Sequence, residues 1–324
     1  MIEITTEINA IVTCCDESVV RLNFGNGYIV AKAYLEQLSF REKITNGQGQ
    51  LLSEYLPSAK TDQGGTYLYC ISKKEVHGFT PKNEGISEYL ERYNLEQRLY
   101  LKKIFALLRT FKAGNIGTFV IIFDHRYTQG ILTNRIVNNS EPGTRNLVDD
   151  RIYSLSDNEI NDCNQFVAEY SGDSYVLLKA VIDEFEWGLD QVDVATSFEQ
   201  LITSLEIALL GHNQTGKKEV LAKRIAVLIE PDAASMKQTY LKMKAFYKYR
   251  SESLHEGEEN NIDKNDLIQL EEITRRVIKK YLEFARQQLV LNPMLGWDDL
   301  KRNMIDEIKD RVTQQDSRAF PSVN

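Results

Sequence analysis

The sequence predicts an α+β N-terminal domain followed by an all-α helical bundle. Three observations lead to this fold class: runs of β-type apolar residues in the first part, apolar residues at helical spacing from Ser156 onwards, and a Gly- and Asn-rich stretch between the two parts. We therefore expect a mixed α/β domain over residues 1–150, a helical bundle over residues 151–292, and a C-terminal helix and tail over residues 293–324.

In the N-terminal part, short runs rich in Ile, Val and Leu predict strands, and one long segment, Gly85–Thr110, has the apolar spacing of a helix. Gly25-Asn26-Gly27 lies between two of the runs. Asn-Gly in that position is typical of a hairpin, because both central residues tolerate positive φ. The candidate strands are Glu7–Cys14, Ser18–Phe24, Tyr28–Lys32, Thr66–Ile71 and Gly117–Phe123.

From Ser156 onwards the pattern predicts nearly continuous helix. Ser156 and Glu159 have the spacing of a capping box, in which each side chain satisfies the other's backbone amide. Gly211 is expected to end one of the later helices, and Pro231 and Pro293 to stop two more. The further helices are predicted over Tyr175–Trp187, Thr196–Leu210, Lys217–Ile229, Ala233–Arg250, Asp266–Leu291 and Trp297–Val312.

Composition restricts the class of protein. The 324 residues include 47 acidic and 39 basic side chains, for a net charge of −8. No apolar run is long enough to span a bilayer and the start lacks a signal sequence, so we expect a cytoplasmic protein with no membrane association. The cysteines lack metal-ligand spacing, which predicts reduced thiols and neither a metal site nor a cofactor. They are Cys14, Cys15, Cys70 and Cys163.

The acidic total conceals a basic segment. Residues 211–250 contain nine basic and three acidic side chains, so this segment carries +6 while the other 284 residues carry −14. Phosphate contacts dominate affinity for nucleic acids, so we expect RNA contacts here, from Lys244 and Lys248 in particular. The aromatic residues interleaved with the lysines either stack on bases or face the core, and we assign most of them to the core. They are Tyr240, Phe246, Tyr247 and Tyr249.

Two other patterns favour plain structural roles. Gly211–Lys218 nearly fits a phosphate-binding loop, but a helix rather than a strand precedes it, and Lys218 replaces the required hydroxyl. We interpret it as an interhelical loop, which argues against a nucleotide-binding regulator. His77, His125 and His212 have no ligand partners at suitable spacing, so we expect solvated or structural roles for them.

Arg250 and His255 have two interpretations: a cation and a polar cap at a helix end, which the spacing taken alone favours, or a candidate catalytic pair. The arginine lies five residues before the histidine, near a helix end that Gly257 is able to cap. The helix dipole and the neighbouring carboxylates both favour a protonated imidazole, which is a proton donor at neutral pH. Residues five apart differ by about 140° around an ideal helix. Either the helix deforms or ends between them, or a second copy of the chain completes the site.

The segment over residues 155–287 resembles the HEPN superfamily, specifically its Apea-like branch, across about two fifths of the chain. The resemblance rests on Leu155–Ile160, Leu205–Leu210, Leu221–Ile229 and Tyr249–Gly257. The last of these contains an arginine-x4-histidine motif, with Glu256 inserted between the histidine and the glycine of the family pattern.

The resemblance implies a metal-independent endoribonuclease, a toxin or an effector of antiviral defence and abortive infection. His255 would act as general acid or base while the ribose 2′-hydroxyl attacks the adjacent phosphate. Arg250 would bind that phosphate, and Tyr249, Ser251 and Glu252 would support the pair. An exposed glutamate at a helix end is the equally good alternative for Glu252.

Glu206 and Arg224 match family positions, either as a buried charge pair between helices or as support for the site. The resemblance also implies a homodimer through the helical domain, and a regulatory partner or antitoxin. The N-terminal domain would then sense a trigger or restrain activity. The alternative is a HEPN-type RNA-binding or protein-interaction module without catalysis.

Overall fold

The computed structural model describes residues 1–46, 48–51, 58–80, 85–118, 120–129, 132–140, 151–191, 193–211, 215–256 and 262–320. For residues 43, 129, 132–140, 252–256 and 316–319 only the backbone is described. The chain forms two compact units, which meet in the sequence at Glu169 and Tyr170. Among the described residues, the first contains a β-sheet and two α-helices, and the regular elements of the second are all helices, as the predicted fold class requires.

The first unit is built on an antiparallel sheet in the order β2-β4-β1-β5-β6, with β3 paired to the start of β4. The central strand is β1, in which Ile8 faces Lys73 of β4 on one side and Phe123 of β5 on the other. The elements are β1 Ile2–Val12, β2 Ile29–Tyr34, β3 Lys60–Asp62, β4 Gly65–Phe79, α1 Ile86–Phe111, β5 Ile121–Gln129, β6 Leu132–Ser140 and α2 Asp157–Tyr170.

The face of the sheet that α1 covers is set by alternation along β1. Ile4, Thr6 and Ile8 are buried while the residues between them are partly exposed, because successive strand side chains point to opposite faces. Ile4 packs with Phe79 of β4 and Leu90 of α1. The long helix expected over Gly85–Thr110 is confirmed as α1.

The prediction of a strand over Ser18–Phe24 is wrong, and so is the prediction of a hairpin that depended on it. Glu17–Arg21 forms a short 3-10 helix, because the Asp16 carboxylate accepts a hydrogen bond from the backbone amide of Ser18 and turns the chain there. Gly25, Asn26 and Gly27 do adopt positive φ, at 66°, 50° and 76°. This turn leads into β2, which pairs with β4. The predicted strand Gly117–Phe123 begins only at Ile121.

The second unit holds the remaining helices. The stripe predicted for the helix Thr196–Leu210 is confirmed, with Phe198, Leu201, Ile202 and Leu205 all buried. The helices are α3 Asp173–Leu189, α4 Val194–Leu209, α5 Lys217–Ile229, α6 Ala233–Glu256, α7 Lys264–Leu291 and α8 Trp297–Ala319.

The unit boundary differs from the expected division at residue 151. Helix α2 belongs with the sheet unit, because its capping residue Glu159 forms an ion pair of 2.8 Å with Lys112 at the end of α1. Residues 293–324 were expected to form a separate segment. In the structure α8 belongs to the helical unit, because its side chains Leu300, Met304 and Ile308 are buried there.

Two expectations from composition concern the whole chain. All four cysteines lie among the described residues, and none of them forms a disulfide. In the described part of the chain, no helix has both the length and the apolar character needed to cross a membrane.

Candidate active site on helix α6

Helix α6 carries the Arg250–His255 motif and is anchored at both its start and its buried face. Asp232 caps the first turn, accepting hydrogen bonds of 3.0 Å from the amides of Ala234 and Ser235. Phe246 packs edge-to-face on Phe198 of α4, with ring centroids 5.3 Å apart. Because α4 and α6 pack together here, the last turns of α6 lie beside polar residues of α4.

Arg250 is held by Glu206 of α4. Its Nη1 donates to Glu206 Oε1 at 2.8 Å, and the two side chains are 19% and 16% exposed. The hydroxyl of Tyr247, one turn earlier on α6, donates to the same oxygen at 2.8 Å. The Arg250 guanidinium also lies 5.8 Å from the centre of the Tyr247 ring. Arginine and tyrosine thus converge on one carboxylate oxygen.

The protonation of Tyr247 is fixed by this environment. Burial raises the pKa of its hydroxyl to about 12, and the hydrogen bond to the Glu206 carboxylate acts in the same direction. Tyr247 is therefore a hydrogen-bond donor at neutral pH, and Glu206 accepts from both Tyr247 and Arg250. The sequence left Tyr247 among four aromatic residues that either stack on bases or face the core, and only the packing of α4 on α6 identifies its role.

Arg224, the other position matched by the resemblance, lies elsewhere in the helical unit. Its buried guanidinium donates to the backbone carbonyl of Leu209, the last residue of α4. The Tyr281 hydroxyl donates to the neighbouring carbonyl of Ala208 at 2.6 Å. These two side chains satisfy carbonyls that the end of a helix leaves without an intrahelical partner.

His255 lies on α6, but its side chain is outside the described atoms, as is that of Glu252. Gly257 is outside the described residues altogether. Helix α6 is continuous from Arg250 to Glu256, so it does not end between the two motif positions. On a regular helix these positions are about 140° apart. Two supporting residues lie between them. The side chain of Ser251 is described and is exposed.

Position 255 lies on the same side of α6 as a row of lysines. Lys237, Lys244 and Lys248 are spaced seven and four residues apart, which places them on one stripe of α6. Position 255 is 18 residues after Lys237, or five turns at about 3.6 residues per turn, so it lies on the same stripe. Tyr249 is half-buried.

The two lysines expected to contact RNA have different surroundings. Lys244 forms an ion pair of 3.1 Å with Glu219 of α5 and donates to the Tyr240 hydroxyl at 3.1 Å. These hydrogen bonds raise the pKa of Lys244, first that to Tyr240 and then that to Glu219. The charge of Lys244 is therefore largely offset. The side chain of Lys248 is exposed.

The histidines of the sheet unit, His77 of β4 and His125 of β5, share one hydrogen-bond network. The Thr6 hydroxyl lies 2.8 Å from His77 Nε2 and 2.8 Å from His125 Nδ1. His77 Nδ1 is 2.8 Å from the Tyr89 hydroxyl, and His125 Nε2 is 3.0 Å from Asn94 Oδ1. The structural role expected for these two histidines is therefore a buried network joining β1, β4 and β5 to α1. His212 lies outside the described residues.

The interpretation of Gly211–Lys218 as an interhelical loop agrees with the described part of the segment. Helix α4 precedes it, and Gly216 begins α5 with a φ of +62°. Residues 212–214 are outside the described ranges. The strand-to-helix turn that a phosphate-binding loop requires is replaced by a helix-to-helix connection.

Within the described residues, no group of three or more His, Cys, Asp or Glu side chains is arranged to hold a metal ion. The chain matches no protein-family model, no curated protein and no solved structure.

Proposed function

We propose that this chain is a metal-independent endoribonuclease of the HEPN type, with its active site at Arg250 and His255 of α6. The observation that carries this proposal is the state of Arg250: its guanidinium is oriented by Glu206, and its Nε is buried without a hydrogen-bond partner in the described structure. A fixed guanidinium with donors to spare is suited to binding a phosphate.

In the proposed reaction, the 2′-hydroxyl of one ribose attacks the adjacent phosphorus. His255 transfers a proton to or from the reacting oxygens, and Arg250 stabilises the charge on the five-coordinate transition state. The products are a 2′,3′-cyclic phosphate and a 5′-hydroxyl. Exposed lysines on the stripe of α6, Lys237 and Lys248, supply contacts to flanking phosphates.

The proposed enzyme acts as a dimer through its helical unit. Because α6 is continuous between the motif positions, one helix directs Arg250 and position 255 to different sides. A two-fold axis near α6 brings Arg250 of one copy towards His255 of the other, which is the arrangement that the spacing favours.

A second candidate is an RNA-binding or protein-interaction module without catalysis. The separation of about 140° around the helix favours it, since no single copy then presents both residues to one phosphate. The pairing of Lys244 with Glu219 also favours this candidate, because it makes the contacts of α6 with RNA weaker than the local sequence charge suggests.

For the sheet unit we propose a sensing or regulatory role in a cytoplasmic toxin or defence effector, controlled by a trigger or an antitoxin. This unit has a cavity of about 470 Å³, a size typical of small-molecule sites. Among the residues lining the cavity are Arg21, Lys32, Tyr67, Tyr69 and Asp157.

The proposal is tested by incubating the purified protein with labelled single-stranded RNA in EDTA. We expect cleavage by the wild type, with cyclic phosphate ends, and a loss of about 10²–10⁴-fold in Arg250→Ala and His255→Ala. Arg302→Ala, which removes an exposed arginine of α8, is the matched control. Cleavage that persists in both motif variants, or that stops on chelation, contradicts the proposal.

Mixing the two inactive variants tests the shared site. If Arg250 and His255 come from different copies, an equal mixture regains about a quarter of wild-type activity, because half the dimers then contain one intact site. No recovery, together with the loss in each variant alone, shows that each copy holds a complete site. RNA binding without any cleavage by the wild type favours the second candidate.

A further inference from the structure

We propose that Glu206 is a positioning residue for Arg250, and that Tyr247 holds the Glu206 carboxylate in place. This inference deepens the proposed function and rests on it, because Arg250 is the group assigned to the phosphate. It gives Glu206 a specific role among those that the resemblance left open, and it adds Tyr247 to the site.

The first step concerns how the carboxylate is held. Glu206 Oε1 accepts hydrogen bonds of 2.8 Å from both Arg250 Nη1 and the Tyr247 hydroxyl. The Glu206 side chain is 16% exposed, so two donors on one oxygen restrict its rotation. Because Tyr247 remains protonated at neutral pH, its hydroxyl remains a donor to this carboxylate. The carboxylate is thus a fixed point on α4.

The second step concerns which edge of the guanidinium remains available. Nη1 lies on the side of the Cδ atom, so the Nε and Nη2 groups on the opposite side form a parallel pair of donors. Nε is buried and, within the described residues, has no hydrogen-bond partner. A parallel pair of N–H groups matches two oxygens of a phosphate. Glu206 therefore binds the Nη1 side of Arg250 and not the edge that matches a phosphate.

The third step concerns what is lost without Glu206. The guanidinium would rotate about its side-chain bonds, and its paired donors would no longer be aligned when charge develops on the phosphate. The exposed lysines of α6 would still bind the RNA chain. Loss of Glu206 should therefore slow the chemical step far more than it weakens binding.

The kinetic experiment compares Glu206→Ala, Glu206→Gln and Tyr247→Phe with Glu283→Gln, a matched control at an exposed glutamate of α7. We expect kcat to fall about 100-fold in Glu206→Ala, with KM changed by less than about 3-fold. Glutamine keeps a carbonyl acceptor, so Glu206→Gln should recover part of kcat. Tyr247→Phe should have the smallest effect. A raised KM with unchanged kcat, or wild-type kcat in Glu206→Ala, overturns the inference.

A second measurement does not require cleavage. In a ¹H–¹⁵N spectrum of arginine Nε–H groups, Arg250→Lys identifies the Arg250 signal, and inorganic phosphate is then titrated. We expect a sharp wild-type signal that shifts with phosphate, and a broadened signal without that shift in Glu206→Ala. An unchanged signal in Glu206→Ala, or no phosphate shift in the wild type, overturns the inference. If the wild type fails to cleave RNA, the proposed function fails while this spectrum still decides the role of Glu206.

Thermal unfolding shows whether Glu206→Ala and Glu206→Gln are folded. Glu206→Gln keeps the volume and an acceptor, so it provides the comparison if Glu206→Ala does not fold.

Discussion

With both rings neutral, the histidine network of the sheet unit has a single consistent set of hydrogen-bond directions. Asn94 Oδ1 only accepts, so His125 Nε2 carries a proton and the neutral ring accepts at Nδ1 from the Thr6 hydroxyl. Thr6 then accepts from His77 Nε2, and His77 Nδ1 accepts from the Tyr89 hydroxyl. In this arrangement the direction of each bond depends on the next.

This network predicts a sheet unit that loses stability in mild acid. Burial is the main cause that lowers the pKa of His125, to about 4, and His77 is shifted down for the same reason, opposed by Glu75. Of the other charged groups nearby, Asp124 raises the pKa of His125, while Lys73 lowers that of His77.

The unfolded chain therefore binds more protons than the folded chain between pH 6.5 and about 4. The free energy of unfolding should fall as the pH drops through this window, by about 2 kcal/mol. Urea unfolding at pH 7 and pH 5 measures the change. His125→Gln, which cannot protonate, should be less stable at pH 7 but should lose less between the two pH values. An equal loss in the variant would contradict the assignment.

At the level of elements, the sequence pattern predicted the helices whose buried faces are regular. In α4, the buried residues Phe198, Leu201 and Leu205 recur at helical spacing. That spacing alone is enough to predict the helix. The segment Glu17–Arg21 could not be placed this way, because one local hydrogen bond from Ser18 to Asp16 overrides its β-type residues. The spacing of apolar residues carries no information about local polar contacts of this kind.

The candidate site was predictable only in part, for a similar reason. The spacing of Arg250 and His255 is visible in the sequence, whereas Glu206 is 44 positions from Arg250 and joins it only through the packing of α4 on α6. The pairing of Lys244 with Glu219 is also tertiary, so counting charges along the chain overestimated what Lys244 offers to RNA.

Helix α6 gives a prediction about RNA binding. Lys248 is exposed on the same stripe as position 255, so Lys248→Glu should weaken binding of single-stranded RNA and make it less dependent on salt. Lys280→Glu reverses an exposed lysine of α7 and serves as the control. Fluorescence anisotropy at several salt concentrations measures both. Equal weakening by both variants would show that the net charge matters and the stripe does not.

At the level of the whole molecule, two compact units predict two calorimetric transitions. Ser156→Ala removes the cap of α2. Because α2 belongs to the sheet unit, the variant should lower the free energy of unfolding of that unit by about 1 kcal/mol and lower the temperature of its transition. The pH-sensitive transition identifies the sheet unit. Asn161→Ala, at an exposed position of the same helix, is the control. A shift confined to the other transition would place α2 with the helical unit.

The central position of β1 has a consequence for biosynthesis. Ile4 pairs with His77 on one side and with Tyr127 on the other, so β1 leaves the ribosome long before either partner. Such long-range pairing is slow to form, and an unpaired strand is open to association with other chains. We therefore expect β1 to be paired on both sides only after β5 has been synthesised.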